Sequence, residues 1–361
     1  MRELIIDLDA IAYNLDVMRQ RTSGAMVCGV VKANAYGHGM LPVAKRLEAE
    51  GVDYLGVADI AEAIELRNAG IKVPVLAWLH AWDEDFAAAV AHRIDLGIST
   101  IAQLDHAAQA AKVAGSRARV HIKVDTGLSR NGVTLAGLSD LLRSAQDLVS
   151  QGAIEVIGIF SHLSSTDEAS DRIQIGRFDQ ALALAAEYGI EPELRHLTAS
   201  DGSLSYPDAR YDMVRIGVAL YGLIPAMTAT AKVVQVKGVP AGEGVSYGYL
   251  YRTAAATNLA LVPVGYAEGL PRLATGSAKI WVNGETHDLA ARIAMDQFVL
   301  DVGEHEVAPG DTVVIFGDPS LGYPSADDLA EAAQTINYEI VTRMGGRFER
   351  HYISNGLLGT D

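Results

Sequence analysis

Three stretches of this chain gather the residues that could do chemistry. In Val30-Val31-Lys32-Ala33-Asn34-Ala35-Tyr36-Gly37-His38-Gly39 a lysine closes an apolar run, Ala25–Val31, that reads as a short buried strand. A lysine at the mouth of such a strand loses water, which favours its neutral amine. A neutral amine is a nucleophile toward carbonyls and forms Schiff bases. The other reading is a stem lying on apolar surface with its ammonium in solvent. Arg215 stands between Met213-Val214 and Ile216-Gly217. A guanidinium inside an apolar strand is costly unless paired, for instance with a buried acid. Val262-Pro263-Val264-Gly265-Tyr266-Ala267-Glu268-Gly269-Leu270-Pro271-Arg272 reads as a strand ending in a glycine-rich turn, with Tyr266 as a core ring.

The elements that must position these residues alternate. Glu3–Asp7 reads as a strand, and Asp9–Arg21 as a helix with Ile11, Leu15 and Met18 on one face. Apolar runs near 25–31, 54–58, 73–77, 94–98, 118–124, 154–160, 194–197 and 213–217 read as strands. Alanine-rich helical segments such as Gln103–Ala114 and Arg172–Tyr188 lie between most of them. Eight strands alternating with helices predict an α/β fold, a parallel (β/α)8 TIM-type barrel. A doubly wound open sheet is the structural alternative, but no Gly-x-Gly-x-x-Gly follows the first strand. Barrel sites lie at the C-terminal ends of strands. The polar residues fall there: Lys32 after strand one, Lys123 to Arg130 at strand five, Ser161-His162 after strand six, His196 to Ser200 after strand seven and Arg215 in strand eight.

After about Gly222 the texture changes to Val, Thr and Tyr runs broken by Gly and Pro: Lys232–Val239, Asn258–Gly265, Ala278–Val282 and Thr312–Phe316. This predicts a mostly β C-terminal domain, with one helical stretch from Ser325 to Met344. The boundary is placed at Leu223-Ile224-Pro225. Residues 1–224 are expected as the barrel and 225–361 as the β domain, with the first strand, about 1–7, free to pack on the latter.

Bulk composition excludes several function classes. The length of 361 residues suits two domains, and 49 % hydrophobic with 20 % charged residues is globular. A net charge of −16 without a basic block argues against nucleic-acid binding. Cys28 is the one cysteine, so neither a disulfide within the chain nor a cysteine metal cluster can form, and no metal site is expected. The N-terminus lacks a signal-peptide core, and no uncharged apolar stretch reaches bilayer-spanning length. A soluble cytoplasmic protein is expected, with no membrane partner.

The string around Lys32 closely resembles the pyridoxal-phosphate lysine motif of alanine racemases. Arg215-Ile216-Gly217, Gly265-Tyr266-Ala267-Glu268-Gly269, Ala294-Met295-Asp296-Gln297 and Thr335-Ile336-Asn337-Tyr338-Glu339 resemble further segments of that family, in its order and across both domains. The resemblance implies pyridoxal 5'-phosphate held by Lys32 as a Schiff base. It also implies two bases, Lys32 on the D face of the substrate and Tyr266 on the L face. By the same resemblance Arg215 faces the pyridine nitrogen and Arg130 binds the substrate carboxylate and cofactor hydroxyl. His162 bridges Tyr266 toward Arg215. Tyr36, Ser200, Gly217, Val218 and Tyr338 hold the phosphate. Met295 joins Tyr266 at the partner's Lys32 in a head-to-tail homodimer with shared active sites. Lys123, seven residues before Arg130, is where many members carry a carbamylated lysine. The other reading is an ion pair with Asp125. The activity implied is interconversion of L- and D-alanine, feeding D-alanine to cell-wall peptidoglycan.

The chain departs from the family pattern. Glu268 stands for an expected aspartate, Leu270 for a common aromatic, Ala199 for a frequent asparagine, and Ala294 for a cysteine or serine. Preference for alanine over serine or another small amino acid stays open. A decarboxylase of the same fold is an alternative, but such enzymes resemble this chain without Arg215 and with a cysteine in the second domain. A non-catalytic cofactor carrier is another, but those resemble only the barrel.

Overall fold

The computed structural model describes residues 1–354 and the backbone of 357–359. Eight parallel strands follow the predicted runs: Met26–Val30, Tyr54–Val57, Val75–Ala77, Asp95–Ile98, Ala118–Asp125, Ile154–Phe160, Leu194–His196 and Met213–Ile216. Each pairs with the next up to the seventh, and the eighth pairs with the first in the register Met213↔Met26 to Ile216↔Gly29. The seventh and eighth meet through a single bridge, Ala199↔Arg215, and through Arg215 N–H donating to the Thr198 carbonyl at 3.1 Å. The ring is thereby nearly closed. Most strand residues are fully buried, since helices cover the outer face of a parallel sheet. Helices Leu8–Arg21, Ile101–Ala114 and Glu168–Glu187 cover the expected ranges. Ile11, Leu15 and Met18 are fully buried, so the 3.6-residue period reported the inward stripe.

The chain divides into two compact units. One comprises Asn14–Ala33 and Met40–Leu220; the other Met1–Tyr13, Asn34–Gly39 and Tyr221 onward. The second unit is built on a seven-stranded sheet. Within it Arg2–Asp7 lies antiparallel to Met227–Lys232 and parallel to Glu349–Ser354. A three-stranded sheet, Gln235–Val239, Thr257–Val262 and Phe298–Gly303, completes its framework.

Two expectations need correction here. Lys232–Val239 is not one run: Lys232 ends a strand of the large sheet and Gln235 begins a strand of the small one, as the chain crosses between sheets at Val233-Val234. Ser325–Met344 is two helices, Ala326–Ala332 and Asn337–Arg343. Gln334 takes a left-handed φ of +55°, and Thr335 N–H donates back to the Ala330 carbonyl at 2.9 Å, which closes the first helix. The β-branched pair Thr335-Ile336 then runs extended rather than helical. Strands Glu285–Asp288 and Glu349–Ser354 had no counterpart in the predicted runs, because they are largely polar, and Phe298–Gly303, apolar but for Asp301, was passed over.

Candidate active site

Lys32 follows the first barrel strand directly, and its Nζ lies 5.9 Å from the Trp78 ring centroid. Burial lowers its pKa, and the charges of Arg130 and Arg215 lower it further against Glu62. The segment that follows is a left-handed turn, with Ala33, Asn34, Ala35 and Tyr36 at φ between +52° and +55°. Such backbone costs about 1–2 kcal/mol per residue outside glycine. It persists because its polar groups are held. Glu62 accepts from Ala33 N–H at 2.6 Å and Ala58 N–H at 2.8 Å, and Gly39 N–H donates to the Asn34 carbonyl at 2.9 Å. Gly37 and Gly39 have no room for a Cβ, which would lie 2.4 Å from the Val341 carbonyl oxygen and 1.9 Å from the Tyr352 hydroxyl. Strain held in this way accumulates at functional sites.

Arg215 is buried in the eighth strand without a carboxylate partner among the described residues. The buried ion pair that the sequence left open is therefore not made among the described residues. Its guanidinium donates instead to the carbonyls of His196, Ser161 and Leu197 at 3.1, 2.7 and 2.9 Å. It also meets His196 Nδ1 at 3.0 Å and His162 Nδ1 at 3.2 Å. Burial lowers its pKa to about 10, so it stays a cation at neutral pH.

An arginine can only donate, so these contacts set the imidazole tautomers. His196 Nδ1 accepts, its proton sits on Nε2, and Nε2–H donates to His121 Nδ1 at 2.9 Å. His121 then carries its proton on Nε2 and donates to Asp95 at 3.3 Å. His162 likewise accepts at Nδ1 and keeps Nε2–H as a donor. Burial, with Arg215, Arg130 and the two lysines behind it, pushes the His162 imidazole down to about 3, so it is neutral.

Lys123, in the fifth strand, is buried with Nζ 5.3 Å from the Phe160 ring centroid. Burial and the charges of Arg215, Arg130 and Lys32 push it down to about 8, opposed by Asp125. Four cationic side chains thus face one region of the barrel, with Glu62 and Asp125 as the acids that act on the lysines. Such a surplus calls for an anion. Near it Ser200 Oγ accepts from Gly217 N–H at 3.1 Å and Ala219 N–H at 3.4 Å, which brings Ser200, Gly217 and Val218 to one turn. A phosphorylated carbonyl compound matches both features, an amine held toward neutrality and a surplus of cationic side chains around it. The residues present therefore fit pyridoxal phosphate.

The other candidate residues belong to the second unit. Tyr36 packs on Tyr221 with ring centroids 5.0 Å apart and lies 6.4 Å from Tyr338. Burial and Tyr338 push the Tyr36 phenol up to about 12, so it acts as a neutral donor. Tyr266 opens a short 3-10 turn and is 40 % exposed; Met295 is 53 % exposed. Backbone bonds join them: Tyr266 N–H donates to the Ala294 carbonyl at 3.2 Å and Ala267 N–H to that of Met295 at 3.0 Å. The approach demands glycine at 265, where a Cβ would lie 2.3 Å from both carbonyl oxygens. Glu268, fully buried, accepts from Gly265 N–H at 2.9 Å and pairs with Arg347, which bonds Asp296 at 2.7 Å. The departure at Glu268 thus retains a carboxylate that ties the Tyr266 turn to the Met295 segment.

Sequence reading passed over Trp78, His121 and Asp95. Gly56 and Gly97 were the available signal for Trp78, since a Cβ on either would meet it at under 3 Å. Cys28 is fully buried, and burial pushes its thiol up to about 12, so it is no nucleophile.

Asp95 anchors the histidine chain, and its pH dependence is a test of it. Burial opposes ionisation, yet hydrogen bonds from His121 and Arg119 hold the carboxyl at about 2. The folded value lies below the unfolded one, so the stabilisation is fully present above about pH 4 and is lost as pH falls toward about 2; it amounts to about 2 kcal/mol. Urea midpoints measured across that window should fall with acid in the wild type and fall less in Asp95→Asn.

The fold defines a protein of two units, a parallel α/β barrel and a mostly antiparallel β unit. Residues 6–225 match the family model for the alanine racemase N-terminal domain, and 226–352 that for the C-terminal domain. The alanine racemase of Salinispora tropica is 46 % identical over 357 residues, covering 95 % of each chain. That of Thermobifida fusca is 45 % identical over 97 % of each. The crystal structure of alanine racemase from D-cycloserine-producing Streptomyces lavendulae superposes with a TM-score of 0.96 at 42 % identity, covering 98 % of this chain and 97 % of that one. The chain belongs to the alanine racemase family. It is an isomerase, an amino-acid racemase. No helix among the described residues is long and apolar enough to cross a membrane.

Proposed function

We propose that the protein interconverts L- and D-alanine by a two-base mechanism with pyridoxal phosphate on Lys32, supplying D-alanine for peptidoglycan as a cytoplasmic homodimer. The observation that carries this is the Lys32 amine, partly buried beside Arg130 and Arg215 and held toward its neutral form. Bound pyridoxal phosphate supplies an electron sink that acidifies the Cα–H of an attached amino acid. Lys32 Nζ moves the Cα proton on one face, and Tyr266 Oη on the other. Arg130 binds the substrate carboxylate. Arg215, having donors only, leaves the cofactor's ring nitrogen unprotonated. His162 Nε2–H is the donor available to Tyr266 Oη, which links that phenol to Arg215. Ser200, Gly217, Val218, Tyr36 and Tyr338 hold the phosphate, and Met295 lines the substrate side. In this reading the functional division is 1–224 and 225–361, with the first strand packed in the second part.

A shared site is supported by exposure. Tyr266, Met295 and Tyr338 stand 38–53 % exposed in the single chain, and Tyr247, Tyr249, Leu250 and Ile336 59–70 %. Apolar and aromatic surface of this kind marks an interface. In a two-fold pair each second unit would serve the partner's Lys32.

Incubation with L-alanine in deuterium oxide tests the reaction. Racemisation with deuterium at Cα is expected, with alanine turned over faster than serine. Carbon dioxide release instead would identify a decarboxylase and overturn the reading.

Lys123 is proposed as a carbamate. An amine near pKa 8 has a reactive neutral fraction at neutral pH, and the product anion would sit among cations, Arg130 included. Protein supplied with labelled bicarbonate should show one carbamate signal per chain, absent in Lys123→Ala. A bare amine in the wild type would refute it.

A further inference from the structure

Glu285, His287 and His305 lie outside everything described above. The hairpin Lys279–Val282 and Glu285–Asp288 turns at Asn283-Gly284, with φ of +48° and +97°. Two residues apart on one strand, Glu285 and His287 present side chains to one face. His305 comes from the turn after Phe298–Gly303, where its N–H donates to the Val302 carbonyl at 2.9 Å. One ligand atom from each of the three lies within 4.8 Å of the others. His305 Nδ1 stands 3.6 Å from Glu285 Oε2, and the two imidazole centroids are 5.0 Å apart.

The nitrogens are set for ligation. The backbone of Asp301 lies close enough to the His287 ring to favour a proton on it. His287 Nε2 is buried and has no hydrogen-bond partner among the described residues, which leaves that nitrogen's lone pair free for a ligand. A histidine binds a metal through such an unprotonated ring nitrogen. His305 Nε2 is also buried without a partner. The loop is pinned to the hairpin: Asn283 Nδ2 donates to the Glu306 carbonyl at 3.1 Å and to Asp311 at 2.7 Å. Tetrahedral zinc at 2.0–2.1 Å places its ligand atoms about 3.4 Å apart, so a pair at the full 4.8 Å would close by about 1.4 Å.

We propose that Glu285, His287 and His305 form a binding site for a divalent transition metal, zinc by ligand type, that clips the hairpin to the turn after Gly303. Two imidazoles and one carboxylate leave one tetrahedral position for water. Its expected consequence is stabilisation of this sheet edge rather than catalysis.

The test is titration of chelator-treated holoenzyme with zinc chloride, followed by calorimetry and thermal melting. The wild type should take up one zinc per chain at this site and melt higher with metal. His287→Gln, His305→Gln and the conservative, exposed Glu285→Gln should each weaken that uptake at least roughly tenfold and lose the rise in melting temperature. Racemase activity without added metal should match the wild type in all three, which shows that they fold. Absence of saturable uptake in the wild type, or equal uptake and melting shift in folded variants, would overturn the proposal.

Discussion

Lys32→Ala is expected to lose racemisation by at least ~10³-fold and, with it, the absorbance of a bound Schiff base. Both effects follow from one atom. Nζ is proposed as the attachment point and as the base on one face, so no other lysine can replace it in part. Lys123 is the nearest alternative by electrostatics, since its amine is also held down, to about 8. Its own carbamate role would remove it from that contest. The discriminating measurement is a cofactor spectrum beside a chiral assay. A variant that kept both signals would remove Lys32 from the site. Loss of activity with an intact cofactor spectrum would leave Lys32 as a base only and move the attachment elsewhere.

Mixing inactive Lys32→Ala with inactive Tyr266→Phe is expected to restore activity. Random reassociation makes about half of the dimers mixed, and each mixed dimer holds one site with both bases, so recovery approaches about a quarter of wild type. Tyr266→Phe keeps the ring and removes the oxygen alone. The backbone bonds from Tyr266 and Ala267 to the 294–295 segment, and the Glu268–Arg347–Asp296 ties, survive that change. Its loss of activity would therefore report the phenol and not the turn. Exchange of subunits, checked by mass, with activity at the background of the two mutants would mean that each chain completes its own site.

Much of the barrel was legible because burial imposes periods. The strand runs at 54–58, 118–124 and 154–160 met strands at Tyr54–Val57, Ala118–Asp125 and Ile154–Phe160. Apolar residues on both faces of a parallel strand leave an unbroken run in the sequence. The second unit was less legible. Glu285–Asp288 and Glu349–Ser354 are half-exposed and polar, so no apolar run announced them. The crossing at Val233-Val234 had no signal either, since both sheets bury similar residues.

By itself the sequence determined which residue types stand at the ends of barrel strands: an amine at 32, a guanidinium at 215, histidines at 162 and 196. Side-chain chemistry travels with the residue and needs no fold to be read. Only the tertiary structure decided what each one meets. An acid could have paired with Arg215, but the ends of the sixth and seventh strands bring it the His196 ring and the carbonyls of Ser161, His196 and Leu197. That contact carries on through His121 to Asp95, on the fifth and fourth barrel strands, which only the folded barrel brings together. The left-handed turn after Lys32 was hidden for a related reason. In Ala-Asn-Ala-Tyr only the asparagine adopts positive φ readily; Glu62 holds the start of the turn, and the glycines at 37 and 39 leave no room for a Cβ beyond it. Partners and strain arise from contacts distant in sequence, and those exist only once the chain has folded.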